Sequence, residues 1–532
     1  MNDAILSSPG EILSEDERQR RQRRAWFGFF AMMFGNFMAI LDIQIVASSL
    51  NEIQAGLSAS AEELTWVQTS YLIAEVVAIP LSGYLSRLLS TRVYFVASAL
   101  GFTLSSLACA FAWDIRSMIV FRALQGFLGG GMIPTTAAAL FTIFPEGKRT
   151  IPLVCVGLVT TLAPALGPTI GGYLTQGFSW HWLFLINLLP GIVMSYFVWM
   201  LVRIDEPNWS LLKTIDFIGL CLMALFLGSL EYVLDEGPRK DWLADDLVRP
   251  LAVITMVSGA LFFWRALTAA HPIVQLRTYH NRNFATGCAV SFVIGILLYG
   301  IVYLVPLYFG SVRGYNSLQI GHVMMLTGGT MFFSAPIAGR VQRYFDPRVM
   351  LAYGLSCIAI GTYLNANLTT ESGMAEFVLP QVLRGHGFIF CMIPMNALSL
   401  GTLEPHELKD GSGLYNLMRN LGGAIGLAVI NTLFVQRNAF HWSYLSEQVS
   451  LSREPIREIF NTGAAIATPE LGSDGAAGAT VAYLARAVAQ QAAVRSFNDL
   501  FLMLSILVAC SLVLVLLVQK PKAAAGAESA AH

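Results

Sequence analysis

The sequence predicts an all-helical integral membrane protein with fourteen spans, built from two related six-helix bundles and a two-helix insertion. Three observations predict it: the composition, the spacing of the apolar runs and a pattern that recurs half a chain apart. Apolar residues make up 55% of the 532 residues and charged residues only 13%, against roughly 25% charged in an average soluble domain. A chain with so little charge cannot cover a soluble surface of this size, which excludes soluble enzymes and disordered scaffolds. A net charge of −1 leaves no basic field to recruit nucleic acid.

Fourteen apolar runs follow one another, most of them close to the roughly 20 residues that a helix needs to cross hydrocarbon. Each run must satisfy its own backbone hydrogen bonds inside the bilayer, so each is predicted to be a helix. The alternating ten-residue segments of a membrane β-barrel are absent. The runs lie at 26–50, 64–85, 93–112, 117–141, 151–174, 181–202, 215–234, 247–264, 284–309, 318–340, 349–367, 376–400, 411–435 and 499–518.

The distribution of basic residues predicts cytoplasmic N- and C-termini. Five arginines precede the first run, which is too long for the apolar region of a secretory signal. With the N-terminus inside, cytoplasmic segments hold 20 of the 33 Lys and Arg residues, outside segments 10 and the spans three. Five of the outside ten lie in the long connection 436–498, where the positive-inside rule is weak.

A repeated pattern divides the chain into halves. The connections after the second and tenth spans both read G-x-[LV]-x-R-x4-R, at a separation of 256 residues. Such repeats predict two bundles related by an axis normal to the membrane, with a substrate site at their interface near the midplane. The pattern consists of Gly83, Arg87 and Arg92 in the first half and Gly339, Arg343 and Arg348 in the second.

This symmetry predicts five parts of the chain. They are a cytoplasmic N-terminal segment (1–25), the first bundle (26–202), the two-helix insertion with its linkers (203–283), the second bundle (284–518) and a disordered cytoplasmic tail (519–532). The connection 436–498 is predicted to be a long periplasmic loop. Apolar residues at helical spacing near 481–488 indicate an amphipathic helix at the outer surface, and a partly disordered tether is the alternative.

Ionisable residues within spans are costly and are therefore functional candidates. Glu75, in the middle of the second span, is interpreted as a proton- or cation-binding carboxylate, with a static hydrogen-bonded glutamate as the alternative. Asp42 and Arg122 lie at similar depths and could pair, either for coupling or as a structural ion pair. Glu231, one turn from two further acidic residues, is interpreted as an interfacial residue.

Two further groups complete the candidate sites. The fifth span has small residues at spacings that allow close helix approach, together with a helix-bending proline; they suit a gating helix or close static packing. These residues are Gly167, Pro168, Gly171 and Gly172. Polar and aromatic residues that could line a substrate cavity are Gln125, Tyr299, Tyr303, Asn416 and Arg419.

Motifs of catalysis and of cofactor binding are missing. The sequence contains no G-x4-G-K-[ST] loop, no G-x-S-x-G or H-E-x-x-H and no paired Cys/His cluster. Its seven cysteines all lie in apolar runs without a C-x-x-C pair. We therefore predict neither an enzyme nor a metal site, no catalytic residues and no cofactor.

Several of these segments resemble motifs of the 14-span drug:proton antiporter group of the major facilitator superfamily, the EmrB/QacA type. Leu41–Val46 resembles its first-span motif, and Arg122-Ala-Leu-Gln125-Gly126 its fourth-span R-x-x-Q-G motif. Gly167–Gly172 resembles the fifth-span antiporter motif, and Leu234–Gly237 the connection after the seventh span. The loop between spans 2 and 3 departs from the superfamily pattern, because Arg87 stands at the aspartate position and Ser90 at the second glycine position.

The resemblance implies a multi-pass transporter of the bacterial inner membrane that exports small amphipathic toxic compounds by alternating access, driven by protons. Asp42 and Glu75 would be the proton sites and Arg122 their partner. A periplasmic HlyD/EmrA-type adaptor and an outer-membrane channel are possible partners. The alternative is export or import of a specific metabolite, lipid or siderophore on the same fold. A third hypothesis is a sensor or assembly factor with a degenerate transporter fold.

Overall fold

The structure, a computed structural model, describes residues 15–145 and 148–519. Within these ranges all extended regular structure is helical and no strand is present. The predictions made for residues 1–14 and for the tail from 520 onward lie outside the described residues.

The first six predicted spans correspond to nine helices, because the fourth and sixth spans are each built from two consecutive helices and a short helix, α2, follows the first span. These helices are α1 (Glu15–Ser48), α2 (Leu50–Leu57), α3 (Ala61–Leu89), α4 (Thr91–Ala110), α5 (Ile115–Gly129), α6 (Met132–Ile143), α7 (Thr150–Gly177), α8 (Trp182–Leu185) and α9 (Leu188–Leu201).

The remaining eight helices cover the last eight predicted spans. They are α10 (Phe217–Glu236), α11 (Val248–Thr268), α12 (Arg282–Ser311), α13 (Ser317–Val341), α14 (Pro347–Tyr363), α15 (Met374–Ser399), α16 (Leu408–Gln448) and α17 (Glu454–Leu517). Thirteen segments of the described chain are long and apolar enough to cross a membrane. The helix α7, with 28 residues, lies where the fifth span is predicted. The all-helical fold of about fourteen spans is thus confirmed.

The connection 436–498 differs from the predicted loop because it is helical. The helix α16 continues to Gln448, a short turn follows, and α17 begins at Glu454, with an interruption at Gly472, whose φ is +70°. The predicted amphipathic segment lies within α17. Its apolar side chains, including Leu484 and Val488, line a groove together with Trp442. These helices pack part of their apolar surface against each other at this groove, although other apolar side chains, such as Ile466, are exposed.

The two halves meet at several helix pairs, and in two of these pairs small residues permit close approach. In the pair α3–α16, a Cβ atom on Gly413 would lie 3.2 Å from the carbonyl oxygen of Ile79. In the pair α7–α13, a Cβ atom on Gly321 would lie only 2.4 Å from Oγ1 of Thr169. The core of the molecule therefore follows the boundary between the halves.

The inserted helices α10 and α11 pack against each other, where Oγ1 of Thr255 donates a hydrogen bond to Oγ of Ser229 (2.8 Å). The helix α10 also packs against α3 of the first half. Just beyond α10, Nε1 of Trp242 donates to Oγ1 of Thr432 on α16 (3.1 Å). The insertion thus contacts both halves beside their shared boundary.

Candidate functional site

A buried polar cluster surrounds Asp42 in the first half. Nη1 of Arg122 donates to Oδ2 of Asp42 (2.8 Å), and both side chains are inaccessible to solvent. The other carboxylate oxygen, Oδ1, accepts hydrogen bonds from Nδ2 of Asn187 (2.7 Å) and from Nε2 of Gln125 (3.2 Å). Asn187 is held in turn by Oγ of Ser106 (3.0 Å). The structure therefore contains the ion pair that the sequence allows, and α1, α4, α5 and the α8–α9 segment all contribute to it.

Arg122 is oriented by three further contacts. Its Nε donates to the carbonyl oxygen of Val67 (3.1 Å), its Nη1 also donates to Oε1 of Gln125 (2.7 Å), and its guanidinium lies 4.2 Å from the ring centre of Tyr71. Nη2 of Arg122 and the hydroxyl of Tyr71 have no hydrogen-bond partner among the described groups. The pair therefore retains a free donor that can take part in a second arrangement.

A buried ion pair gains little net stability after desolvation, but removal of one partner leaves a costly isolated charge. If Asp42 took up a proton, the attraction that holds Arg122 would be lost. The neutral carboxyl group could still hydrogen-bond Asn187 and Gln125. The geometry thus permits a switch between two states that differ by one proton.

Glu75 faces a cavity between the halves. The side chain is 3% exposed, and among the described residues no group hydrogen-bonds its carboxylate. The cavity, with a volume of about 30 Å³ in this conformation, has mostly apolar walls, and Tyr299 and Arg419 of the second half contribute to its lining. Its complete lining is Ile40, Ile43, Gln44, Glu75, Ile133, Leu298, Tyr299, Val302, Arg419 and Asn420. An acidic group of one half thus faces the same space as a basic group of the other half.

Three of the predicted cavity residues lie elsewhere in this conformation. Gln125 is fully buried and points into the Asp42 cluster, where its Oε1 accepts a hydrogen bond from Arg122 and its Nε2 donates one to Asp42. Oδ1 of Asn416 accepts a hydrogen bond from Nη2 of Arg419 (2.5 Å), so Asn416 orients the cavity arginine without lining the cavity itself. The hydroxyl of Tyr303 contacts Oδ1 of Asn431 (3.3 Å) and does not line the cavity.

Four other polar residues of the site were not among the candidates predicted from the sequence. Asn187 and Ser106 complete the Asp42 cluster, and Gln44 and Asn420 line the cavity. A single amide in an apolar span, as in Ile186-Asn187-Leu188, is the one available signal for Asn187. Gln44 lies two residues after Asp42, within the segment already recognised.

The second half contains a buried arginine without an acidic partner. Arg384 is fully buried, and its guanidinium donates to Oδ1 of Asn365 (2.6 Å) and to Oε1 of Gln381 (2.8 Å). Among the described residues no carboxylate pairs with it. Amide oxygens thus solvate this cation, whereas the first half neutralises Arg122 with Asp42.

The loop between spans 2 and 3 is bound to the second half by ion pairs. Arg87 pairs with Asp410 at the start of α16, where the Asp410 side chain is 3% exposed. Beside it, Lys409 pairs with Asp205 and also donates to the carbonyl oxygen of Ser86 (3.1 Å). We call Arg87, Asp410, Lys409 and Asp205 the loop latch. The superfamily pattern has an aspartate where this chain has Arg87. The acidic residue of this ion pair is therefore Asp410, which lies in the second half.

Ser90 explains why the superfamily pattern has a glycine at its position. Its backbone φ of +77° lies in the region that only glycine adopts without strain. The serine oxygen accepts from the backbone N–H of Val93 (3.4 Å) at the start of α4. Oδ1 of Asp205 accepts from the backbone N–H of Thr91 (3.0 Å), so the latch also caps this helix.

The glycines of the repeated pattern each face the opposite half. A Cβ atom on Gly83 would lie 2.6 Å from Oδ1 of Asp410, and one on Gly339 would lie 2.9 Å from Val154 at the start of α7. The arginines differ between the halves. Arg343 is exposed, Nε of Arg348 is buried without a partner, and Arg92 lies 4.6 Å from the ring centre of Trp199.

The fifth-span glycines lie where α7 meets α1. A Cβ atom on Gly167 would lie 2.3 Å from Cβ of Gln44, two residues from Asp42. Gly171 is buried and Gly172 half-buried in the same helix. The side chain of Pro168 lies outside the described part of the chain. The close approach that the sequence predicts is therefore present at Gly167, whereas gating by this helix stays a prediction.

Gly126 provides a test of the packing that supports the Arg122 cluster. A Cβ atom there would lie 2.2 Å from the carbonyl oxygen of Tyr71, a backbone atom that cannot move aside. We expect Gly126→Ala to lower the amount of folded protein in the membrane, with a cost of about 1–3 kcal/mol or more for overpacking. Fluorescence size-exclusion chromatography of detergent extracts measures this loss. Gly329→Ala, where nothing lies within 4 Å, is the control, and equal yields for the two variants would contradict the packing.

Comparison with known proteins gives consistent matches. The family model of the Major Facilitator Superfamily matches residues 26–427. The colistin resistance protein EmrB of Acinetobacter baumannii is 47% identical over 94% of this chain and 97% of its own length. The fatty acid resistance protein FarB of Neisseria gonorrhoeae is 29% identical over 91% of this chain and 94% of its own. The multidrug export protein EmrB of Escherichia coli K12 is 28% identical over 94% and 97%.

Solved structures show the same fold at low sequence identity. The human organic anion transporter MFSD10 superposes with a TM-score of 0.56 at 13% identity, covering 92% of this chain and 99% of its own. The proton:xylose symporter XylE superposes with a TM-score of 0.53 at 11% identity, covering 91% and 95%.

Proposed function

Since the chain belongs to the major facilitator superfamily of multi-pass membrane transporters, we propose that it is a proton-driven exporter of small amphipathic drugs. The observation that carries this proposal is the position of Glu75. Its carboxylate has no hydrogen-bond partner among the described residues, and it faces the cavity between the halves together with Arg419. A carboxyl group in such a place can bind a proton or a cationic substrate but cannot readily remain charged and alone.

Proton exchange would involve the Asp42–Arg122 pair as well. Tyr71 lies four residues before Glu75 on α3 and packs against the Arg122 guanidinium, and Arg122 lies within electrostatic range of both Asp42 and Glu75. Protonation of Asp42 would release Arg122, and Arg122 would then shift toward the Tyr71 and Glu75 side. A proton and a substrate can drive transport only if each prefers a different state of the protein.

Alternating access would result from rocking of the halves 26–202 and 284–518 about the cavity. The loop latch closes the face that carries Arg87, which the positive-inside count predicts to be cytoplasmic. Hydrogen bonding of Oγ of Ser412 to the carbonyl oxygen of Pro134 (2.7 Å) supports the same closure. Opening to the cytoplasm requires that these contacts break, with α7 sliding on α1 and α13.

The names of the relatives support drugs as substrates and export as the direction. Two relatives are named for resistance to colistin and to fatty acids, which are amphipathic compounds, and a third is named for multidrug export. The mostly apolar wall with one acidic and one basic group would suit such molecules once the halves move apart, because the cavity of about 30 Å³ in this conformation is too small for them. A narrower role, the transport of one metabolite, lipid or siderophore, uses the same cavity and would show as failure across a broad substrate panel.

We further propose the bacterial inner membrane as the location, with cytoplasmic termini, as the arginine distribution predicts. An HlyD/EmrA-type adaptor and an outer-membrane channel would complete the export path. In support, α16 and α17 extend past the predicted spans on the side opposite the loop latch, and they carry an apolar groove lined by Trp442, Phe460 and Leu484. An amphipathic helix of a partner could occupy such a groove.

Dye efflux from cells tests the proposal. The wild type is expected to expel a cationic dye until an uncoupler collapses the proton gradient. Glu75→Gln and Asp42→Asn are expected to lose the uncoupler-sensitive component while remaining in the membrane, because neither amide can carry the proton. Glu63→Gln, an exposed position on the same helix, is the matched control. Full efflux by the Glu75 and Asp42 variants would refute proton coupling through these residues.

A further inference from the structure

The inserted helix α10 presents acidic residues to α3, the helix that carries Glu75. The contacts fix the register of the two helices: the rings of Tyr232 and Trp66 lie 5.2 Å apart, and a Cβ atom on Gly228 would lie 3.4 Å from Ile73. Oγ1 of Thr69 on α3 donates a hydrogen bond to Oδ2 of Asp235. Glu231 lies between these contacts, on the same face of α10.

Glu231 is buried, which corrects the interpretation of this residue as interfacial. Its side chain is 6% exposed, and no described group forms a hydrogen bond or an ion pair with it. Its neighbour Glu236 differs, because Arg239 and Lys240 lie 3.7 Å from the Glu236 carboxylate. A carboxylate without a cation or a donor is expensive at this depth, so Glu231 needs a proton for at least part of the time.

The groups that face Glu231 are mostly acidic or neutral. On α10 the nearest is Asp235, and on α3 it is Glu75; both lie within electrostatic range of Glu231. The phenol of Tyr299 on α12 lies within electrostatic range of Glu231 and Glu75, and the cation Arg419 on α16 lies within range of Tyr299 and Glu75. The charged residues of α11 are Arg249 and Arg265. Arg249 pairs with Asp246, just before α11, and Arg265 pairs with Asp216, just before α10.

We propose that Glu231 is a further proton-binding carboxyl group of the transport cycle, beside Asp42 and Glu75, and shares protons with Glu75 across the α3–α10 interface. This inference rests on the proposed function and adds the two-helix insertion to the coupling machinery. A proton from the water on the Asp235 side binds the Glu231 carboxylate and makes it neutral. Transfer to Glu75 then leaves Glu231 anionic as Glu75 becomes neutral, so that the pair carries at most one uncompensated charge.

Infrared spectroscopy of the purified protein detects this proton without a transported substrate. Protonated carboxyl groups absorb separately from carboxylates, and the band is followed through a pH titration in wild type and variants. Glu231→Gln is expected to remove one component of the protonated-carboxyl absorption at neutral pH. It is also expected to change the pH at which the remaining protonated-carboxyl absorption is lost. Glu236→Gln, which removes an acid of the same helix that already has cationic partners, is expected to leave the titration unchanged.

Transport assays separate this inference from the proposed function. In liposomes, Glu231→Gln is expected to lower the number of protons exchanged per dye molecule, and Glu231→Asp to restore it. If the wild type exchanges protons and Glu231→Gln matches it in both the band and the proton count, the inference is overturned and the proposed function stands. If the wild type moves dye without protons, the proposed function fails and the role of Glu231 fails with it. If Glu231→Gln does not fold, Glu231→Ala replaces it in both measurements, and a band and a proton count equal to those of the wild type would also overturn the inference.

Discussion

Replacement of Arg122 by alanine is expected to abolish efflux and to lower the free energy of unfolding by about 3–5 kcal/mol, the usual cost of breaking a buried ion pair. The physical reason is that Asp42 would remain fully buried with two amide donors and no cation. Thermal unfolding of the detergent-purified variant measures the stability, and dye efflux measures the function.

Two companion variants separate folding from coupling. Asp42→Asn combined with Arg122→Gln removes both charges while preserving hydrogen-bonding groups, so most of the stability is expected to return and efflux is not. Arg122→Lys keeps the charge but loses the planar fork that reaches both Asp42 and Gln125, so partial activity is expected. Normal proton-driven efflux in Arg122→Ala would show that the pair has no part in coupling.

Reversal of the charge at Arg87 is expected to produce the second large effect. Arg87→Asp would set two carboxylates side by side at the start of α16, where like charges cost several kcal/mol. Because the loop latch holds the halves together on this face, the variant is expected to close poorly and to lose most of its efflux. Exchange of the two charges, Arg87→Asp with Asp410→Arg, is expected to recover a large part of the activity.

The repeat in the sequence supplies the control for the latch. Arg343 occupies the position equivalent to Arg87 in the second half but is exposed, so Arg343→Asp is expected to have little effect on efflux. Cysteine accessibility on the latch face, measured with a membrane-impermeant thiol reagent, reports opening directly. An active Arg87→Asp variant, or an exchanged pair that recovers nothing, would contradict a role of the latch in closure.

The spans could be predicted from the sequence because hydrocarbon thickness fixes how long an apolar helix must be. The same physics identified Asp42, Glu75 and Arg122, since charge inside a span is costly and conspicuous. Side-chain direction was beyond the reach of this argument. Gln125 was expected in the cavity, but its amide points into the Asp42 cluster, and nothing in the residue order distinguishes the two directions.

Long-range partners were also beyond prediction. Asp410 pairs with a residue 323 positions away, and only the assembled interface between the halves brings them together. The connection 436–498 was expected to be a loop with one amphipathic helix, whereas α16 and α17 make most of it helical. The small and polar residues of 472–480 favour a loop by composition, and the apolar spacing that includes Leu484 was the one signal of a helix.

Proton movement in liposomes tests the central claim most directly. The purified protein is reconstituted with a pH-sensitive dye trapped inside, and an outward substrate gradient is imposed without a pH gradient. The account predicts proton movement opposite to the substrate in the wild type, and its absence in Glu75→Gln with the protein still inserted and folded. Substrate movement at an undiminished rate without any proton movement would contradict proton-coupled export by this chain.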